Sequence, residues 1–348
     1  MAKITQKYFG KLKNGNEALL FKIENKSGAY VEITNFGGAV KSICVPDKSG
    51  NLVDVCVGYD TFKAYERQNK YIGCLVGRHA NRIGKGKFTL NGKSYTLATN
   101  NGGNNLHGGK QGFNCKLWGA KITEKGLLLS YTSIDGEEGF PAELKTEVLY
   151  TFDDNNTLGI EYKAVADADT LCNLTNHCYF NLNGQGNGRI ENHLLQIPAS
   201  HFLVNDNKGL PKGYIAKVEG TPMDFRDFHA IGERINENYE QLIFGCGYDH
   251  CYCPDGEGFR HMATAKSPVT GIVMHTYSDL PGIQLYTGNF LNGAKPWGKG
   301  GIPITVRTGV CFETQYYPDS INKPNFEKSI LRKGEVYQSK TEYRFEVE

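Results

Sequence analysis

The sequence lacks any long apolar run. Across its 348 residues, no hydrophobic stretch approaches the roughly 20 residues of a membrane-spanning helix. Residues 1–21 also lack the apolar centre and the small-residue cleavage site of a signal peptide. We therefore expect a cytoplasmic protein that has no membrane partner.

An excess of one charge sign is also missing. Lys and Arg total 39 and Asp and Glu total 37, so the net charge is +2, and no basic cluster is long enough to follow a phosphate backbone. The 10 cysteines form no CxxC pair of the kind that holds structural zinc. We expect no nucleic-acid partner, no metal site, and cysteines that are reduced and mostly buried.

Helical periodicity is scarce, and β-strand signals are plentiful. The 42 glycines separate short runs rich in β-branched and aromatic residues. Asn91 followed by Gly92 is typical of a two-residue hairpin turn, and a second hairpin is predicted at residues 153–156. Short helices are predicted only around residues 61–70 and 229–243.

No Pro- or Ser-rich linker, block of like charge or internal repeat divides the chain. The sequence therefore predicts an all-β fold, a large antiparallel β-sandwich with a few short helices. We expect residues 1–348 to form one domain.

Glu313 is the first candidate for chemistry, because it interrupts the apolar-flanked strand pattern of residues 310–316. A buried carboxylate is costly unless it has hydrogen-bond partners or a task. Strand alternation turns Glu313 to the same face as Cys311 and Gln315. That face lines either a polar groove or the solvent surface, and the pattern alone leaves both open.

Two histidines are further candidates. His177 lies in a segment that is expected to be largely buried, where an imidazole is either a hydrogen-bonded core residue or a proton-transfer group with a near-neutral pKa. His107 lies among glycines that allow close approach of the backbone to a ligand. The segment lacks the Lys and the strand-to-helix context of a phosphate-binding P-loop.

Taken in order, seven motifs resemble the aldose 1-epimerase (galactose mutarotase) family from about Ala29 to the C-terminus. They are GRHANRI at 77–83, NNLHGG at 104–109, DGEEGFPAEL at 135–144, NLTNHCYFNLNG at 173–184, YDHCY at 248–252, QLYTGNF at 284–290 and ETQYYPDSIN at 313–322.

The resemblance implies a mutarotase-like supersandwich with a groove for one pyranose. It implies an isomerase that interconverts the α and β anomers of free hexoses such as galactose and glucose. His177 would be the acid and Glu313 the base. The substrate-binding residues implied by the motifs, together with one neighbouring aromatic residue, are Asn81, Arg82, His107, Tyr179, Asp249 and Gln284.

Opening a hemiacetal ring requires one base and one acid, and it involves neither oxidation nor group transfer. We therefore expect no cofactor, a monosaccharide as the small-molecule partner, and a monomer or homodimer. Three alternatives stay open on the sequence: a hexose-6-phosphate epimerase, a sugar-binding protein without turnover, and a glycoside hydrolase that uses Glu313 and Asp249.

Overall fold

Strands dominate the structure, a computed structural model that describes residues 2–348. In the first part of the chain they are β1 Lys3–Lys11, β2 Glu17–Glu24, β3 Tyr30–Thr34, β4 Val40–Pro46, β5 Leu52–Asp54, β6 Leu75–Val76, β7 Arg82–Ile83, β8 Lys87–Leu90, β9 Lys93–Thr96, β10 Asn105–Leu106, β11 Gly119–Ile122, β12 Leu127–Ser133, β13 Leu144–Phe152 and β14 Thr157–Ala166.

The remaining strands follow in chain order. They are β15 Thr170–Leu171, β16 Thr175–Asn176, β17 Leu194–Gln196, β18 His201–Asn205, β19 Pro211–Lys217, β20 His229–Ala230, β21 Asp249–Cys253, β22 Arg260–Lys266, β23 Ile272–Ser278, β24 Gly282–Tyr286, β25 Cys311–Gln315, β26 Ile330–Leu331 and β27 Val336–Val347.

Three sheets carry the architecture. The largest has nine strands in the order β11-β12-β13-β14-β27-β23-β22-β17-β20. Two five-stranded sheets have the orders β1-β2-β3-β4-β5 and β19-β18-β21-β24-β25. The strands of these sheets pair in antiparallel fashion, and four two-stranded pairs connect the rest of the chain.

One apolar core joins the three sheets. Phe21 of the first five-stranded sheet, Ile160 and Phe345 of the nine-stranded sheet, and Leu285 and Phe312 of the second five-stranded sheet belong to the same buried cluster. The two smaller sheets therefore share this core with the large one, as the layers of a sandwich do. The prediction of an all-β antiparallel sandwich is confirmed.

Helices are few and short. They are α1 Phe62–Arg67, α2 Ile231–Arg234 and α3 Glu240–Gly245, with six 3-10 turns elsewhere in the described chain. The predicted helix at 61–70 is confirmed, and the one predicted at 229–243 is divided in two. Within residues 2–348, no helix has the length and apolarity needed to cross a bilayer.

Both predicted hairpins are present. Asn91 and Gly92 adopt positive φ angles of 51° and 76° between β8 and β9. Residues 153–156 connect β13 and β14, neighbouring strands of 9 and 10 residues in the large sheet. Short polar turns of this kind fix the register of the strands on either side.

Candidate active site

Strands β21, β24 and β25 turn polar side chains toward one side of their sheet. Gln284 lies opposite Glu313 in the β24–β25 register, and Asp249 lies opposite Tyr286 in the β21–β24 register. The intervening Phe312 belongs to the core cluster. Alternation along each strand therefore separates an apolar inner side from a polar side that faces a pocket.

Glu313 is buried at the base of this pocket. Its exposed fraction is 2%, so the sequence alternative in which it faces solvent is wrong. Its Oε2 atom has no hydrogen-bond partner in the protein. Burial raises the pKa of the Glu313 carboxyl well above its usual range, the Asp249 carboxylate raises it further, and Arg82 opposes them.

His177 is the neighbour of Glu313. It follows β16, is 4% exposed, and its Nε2 atom lies 3.6 Å from Oε1 of Glu313. Burial lowers the pKa of His177 to about 4. Burial therefore favours the neutral form of both groups in the free protein.

Two tyrosine rings flank the His177 imidazole. Tyr179 stacks on it with ring centroids 4.9 Å apart, and Tyr71 stacks at 5.9 Å. The Tyr179 hydroxyl donates a hydrogen bond to the carbonyl of Lys70, 3.0 Å away, which secures the segment that carries Tyr71. Packing against these two rings thus restricts the orientation of the imidazole.

Asn81 and Arg82 enter the pocket together. Asn81 adopts a left-handed backbone with φ 58°, and its Oδ1 accepts hydrogen bonds from the Arg82 backbone N–H and from Nη1. Nη2 of Arg82 lies 3.9 Å from Oδ2 of Asp249. A Cβ at Gly209 would lie 2.9 Å from the guanidinium carbon, so glycine at that position leaves room for the Arg82 side chain.

His107 has a defined tautomer. Its Nδ1 accepts a hydrogen bond from the Asn81 backbone N–H at 3.1 Å. Burial lowers the pKa of His107 well below its usual value, and the neighbouring His177 lowers it further. A neutral imidazole whose Nδ1 accepts must carry its proton on Nε2, so His107 is a hydrogen-bond donor on its remaining side.

Gln284 hydrogen-bonds to Asp249 and supports it from the side away from the pocket. Nε2 of Gln284 donates to Oδ1 of Asp249 at 2.7 Å, and Nε2 of Gln315 donates to Oε1 of Gln284 at 3.3 Å. Gln284 therefore lies behind Asp249 and does not line the pocket. Its contact orients the Asp249 carboxylate, whose Oδ2 is left for Arg82 or for a ligand.

The pocket is open on one side and has an empty volume of about 620 Å³. Seven of the eight predicted site residues line it, the exception being Gln284. Sequence reasoning missed several others. Tyr286 lies in the QLYTGNF motif, whereas Asn101 precedes the NNLHGG motif and Tyr71 follows α1 in a segment without a motif. The lining residues are Asn69, Lys70, Tyr71, Asn81, Arg82, Asn101, Leu106, His107, His177, Tyr179, Asp249, Tyr286, Phe290 and Glu313.

Three of these side chains could in principle approach a metal ion. One ligand atom from each of His107, His177 and Glu313 lies within 4.8 Å of the others. However, the Asn81 N–H occupies Nδ1 of His107, and the proton on Nε2 would have to leave before that nitrogen could bind a metal. The three groups are therefore better arranged for hydrogen bonding and proton transfer.

Other motif residues support the pocket from behind. Arg78 is buried, and its guanidinium donates to the carbonyl oxygens of Ser133, Ile134 and Pro141. The carboxylate of Glu138 accepts from the backbone N–H groups of residues 110 and 111, next to the His107 loop. The 135–144 motif thus fixes two of the loops that shape the site.

Comparison with known proteins gives one consistent result. The family model described as Aldose 1-epimerase matches residues 20–344. The chain is 40% identical to galactose mutarotase of Bos taurus over 349 aligned positions, covering 100% of both chains. It is 33% identical to aldose 1-epimerase of Escherichia coli K12, covering 95% of this chain and 96% of that one. The chain therefore belongs to the aldose 1-epimerase family, a family of isomerases.

Solved structures agree with the fold. An aldose epimerase homologue from C. elegans superposes with a TM-score of 0.87 at 30% identity, covering 94% of this chain and 98% of that one. Galactose 1-epimerase from Lactobacillus acidophilus gives a TM-score of 0.87 at 26% identity, covering 100% and 99%. The mutarotase-like sandwich expected from the sequence motifs is confirmed.

Proposed function

We propose that this protein interconverts the α and β anomers of a free aldohexose such as galactose or glucose, with Glu313 as base and His177 as acid. The observation that carries the proposal is the buried pair itself, with Nε2 and Oε1 3.6 Å apart at the base of an open pocket. The unpartnered Oε2 of Glu313 is available to a sugar hydroxyl.

His177 and Glu313 share one exchangeable proton. Burial lowers the pKa of His177 to about 4 and raises the pKa of Glu313 well above its usual range, so burial favours holding that proton on Glu313 in the free protein. Moving that proton to His177 gives the cation and anion that ring opening requires. The total proton count is unchanged, and the two groups lie close enough to exchange the proton directly or through a sugar hydroxyl.

Ring opening then converts the charged His177–Glu313 pair to two neutral groups. Glu313 takes the proton of the anomeric hydroxyl while His177 protonates the ring oxygen, and the bond between the anomeric carbon and the ring oxygen breaks. The open-chain aldehyde rotates about its first carbon–carbon bond and recloses on the other carbonyl face by the reverse steps. Each opening leaves both protein groups neutral, which is the state that their burial favours.

The surrounding polar groups would orient the sugar. His107 donates through Nε2, Arg82 donates through its guanidinium, and Asp249 accepts. Tyr179 would act mainly by packing on His177, because its hydroxyl already donates to the protein backbone. Asn81 and Gln284 would act by orienting Arg82 and Asp249.

Asp249→Ala is expected to raise KM for galactose by roughly ten- to a hundredfold, the range for loss of hydrogen bonds to a charged group, with a smaller change in kcat. The measurement is the initial rate of mutarotation against sugar concentration. Asp227→Ala is the matched control, because Asp227 is an exposed carboxylate outside the pocket. A loss confined to kcat would instead assign Asp249 to the chemical step.

The pH profile of kcat/KM is expected to be bell-shaped. Activity falls as the pH drops through about 4, where His177 binds a second proton and the pair loses its base. It falls again at high pH, where Glu313 loses the shared proton and the pair has no acid. These two pH limits are properties of the coupled His177–Glu313 pair and not of either residue alone.

In Asp249→Ala the alkaline limb of the kcat/KM profile should move to lower pH, because the Asp249 carboxylate raises the pKa of Glu313. An alkaline limb at the wild-type pH would contradict this electrostatic link.

Optical rotation tests the activity directly. Freshly dissolved α-D-galactose and α-D-glucose should relax faster with the protein, to the same final rotation as without it. Strong competition by hexose 6-phosphates would favour the phosphate-ester alternative. Release of the phenol from an aryl galactoside would favour a hydrolase, and tight galactose binding without acceleration would favour a binding protein.

We also propose that residues 1–348 act as one domain, as a monomer or homodimer, in the cytoplasm and without a nucleic-acid or membrane partner. The shared core of the three sheets supports the single domain. The 10 cysteines are all free thiols, as is usual in a reducing compartment, and the net charge of +2 is too small to favour polyanions. Light scattering and cell fractionation test the oligomeric state and the location.

A further inference from the structure

The Cys311 thiol contacts the His177 imidazole at the nitrogen that does not face Glu313. Cys311 begins β25, two residues before Glu313 and on the same face of the strand. Its Sγ lies 3.4 Å from Nδ1 of His177, and its side chain is fully buried. One strand therefore carries both groups that touch the two nitrogens of this imidazole, the thiol at Nδ1 and the carboxylate near Nε2.

The thiol keeps its proton at this location. Burial raises the pKa of Cys311 well above its usual value, and the carboxylates of Glu313 and Asp249 raise it further. A protonated thiol is a weak donor and a weak acceptor, and rotation about the Cβ–Sγ bond changes which of the two it presents. It can donate to a bare Nδ1, and it can accept from Nδ1–H of either a neutral imidazole or an imidazolium.

We propose that Cys311 is a positioning residue whose Sγ accepts a hydrogen bond from Nδ1–H of His177 and so keeps Nε2 free to take the exchangeable proton of Glu313. This inference rests on the proposed function, in which His177 alternates between its neutral and cationic forms. Within residues 2–348, no other side chain hydrogen-bonds to Nδ1. The other groups facing the imidazole are the rings of Tyr71, Tyr179, Tyr286 and His107, together with the carboxylates of Glu313 and Asp249.

The tautomer explains why this contact matters. Without a partner at Nδ1, a neutral imidazole can carry its proton on either nitrogen. The form with the proton on Nε2 turns an N–H toward a Glu313 that is itself protonated, so Nε2 cannot take the Glu313 proton. A thiol that accepts from Nδ1–H favours the other form, with a bare Nε2, so it acts on the proton-transfer step and not on sugar binding.

Substitutions of Cys311 distinguish its hydrogen bond to His177 from a role in packing alone. Cys311→Ala should lower kcat about tenfold, as expected for one hydrogen bond to a group that becomes charged, and leave KM within about twofold. Cys311→Ser should recover most of the loss, because a hydroxyl also donates and accepts. Cys172→Ala is the matched control, a buried cysteine outside the pocket, and it should keep the wild-type kcat. If Cys311→Ala fails to fold, Cys311→Val offers similar volume without the hydrogen-bond acceptor.

Nitrogen NMR gives the second readout. With ¹⁵N-labelled histidine, the His177 signals are assigned by their loss in His177→Asn, and at neutral pH the wild type should show a proton on Nδ1 and a bare Nε2. Cys311→Ala should populate the Nε2–H form. Wild-type kcat and an unchanged tautomer in a folded Cys311→Ala would overturn the inference. Absence of mutarotation by the wild-type protein would instead overturn the proposed function.

Discussion

Glu313→Gln is expected to lower kcat for the mutarotation of α-galactose by about 10²- to 10⁴-fold, the usual contribution of a general base. The amide has nearly the same shape as the carboxylic acid, but it cannot take the proton of the anomeric hydroxyl. KM should change little, because the sugar-orienting groups His107, Arg82 and Asp249 are untouched. Polarimetry at several galactose concentrations gives both constants.

The same substitution should not unfold the protein. Glu313 is buried with a raised pKa, and its Oε2 has no partner, so a neutral amide at this position avoids the cost of a buried charge. Thermal unfolding at neutral pH should therefore show a melting temperature no lower than that of the wild type. Glu327→Gln, at an exposed carboxylate outside the pocket, is the matched control. Full activity of folded Glu313→Gln would remove the base from the proposal.

Much of the fold was predictable because strand alternation and turn residues are short-range features of the sequence. Alternation along β13 and β14, and the turn residues between them, fix which side chains point inward and how the strands pair. The same alternation correctly assigned Glu313, Cys311 and Gln315 to one face. It could not decide whether that face met solvent or a pocket, because the covering residues come from the segment after β16 and from the loops around residues 71 and 107.

The parts of the site that the sequence did not predict depend on contacts between distant segments. Tyr71 stacks on His177 from a loop more than 100 positions earlier in the chain, and no periodicity marks it. Gln284 was expected to contact the sugar, but it hydrogen-bonds to Asp249 instead. Asp249 lies between Gln284 and the pocket, and the sequence pattern does not show which of the two side chains reaches the pocket. Burial of His177 and Glu313 favours the neutral form of both groups, and residue types alone do not reveal that burial.

Three pocket residues adopt an unusual backbone. Tyr71, Asn81 and His107 have φ angles of 58°, 58° and 52°, in the left-handed region that side chains other than Asn and Asp rarely occupy. Such conformations cost of order 1–3 kcal/mol each and persist only where the surrounding structure enforces them. At residues 81 and 107 they bring two loops together, so that the Asn81 N–H can fix the His107 tautomer. The strain is therefore tied to hydrogen-bond geometry at the site.

His177→Asn is expected to lower kcat by about 10²- to 10⁴-fold, because asparagine cannot deliver a proton to the ring oxygen. Unlike Glu313→Gln, it should also destabilise the fold by roughly 1–3 kcal/mol, since it leaves space between the Tyr71 and Tyr179 rings. Chemical denaturation measures this loss, and the activity should be assayed where the variant remains folded.

The space left by His177→Asn offers a direct test of the acid. Free imidazole added to the assay has the size and the nitrogen spacing of the missing ring, and it should restore part of the mutarotase activity in a saturable manner. His229→Asn, at a half-buried histidine outside the pocket, should be fully active and insensitive to imidazole. Rescue would show that the imidazole group supplies the proton. Undiminished activity of folded His177→Asn without added imidazole would assign the acid to another donor, of which His107 is the nearest through its protonated Nε2.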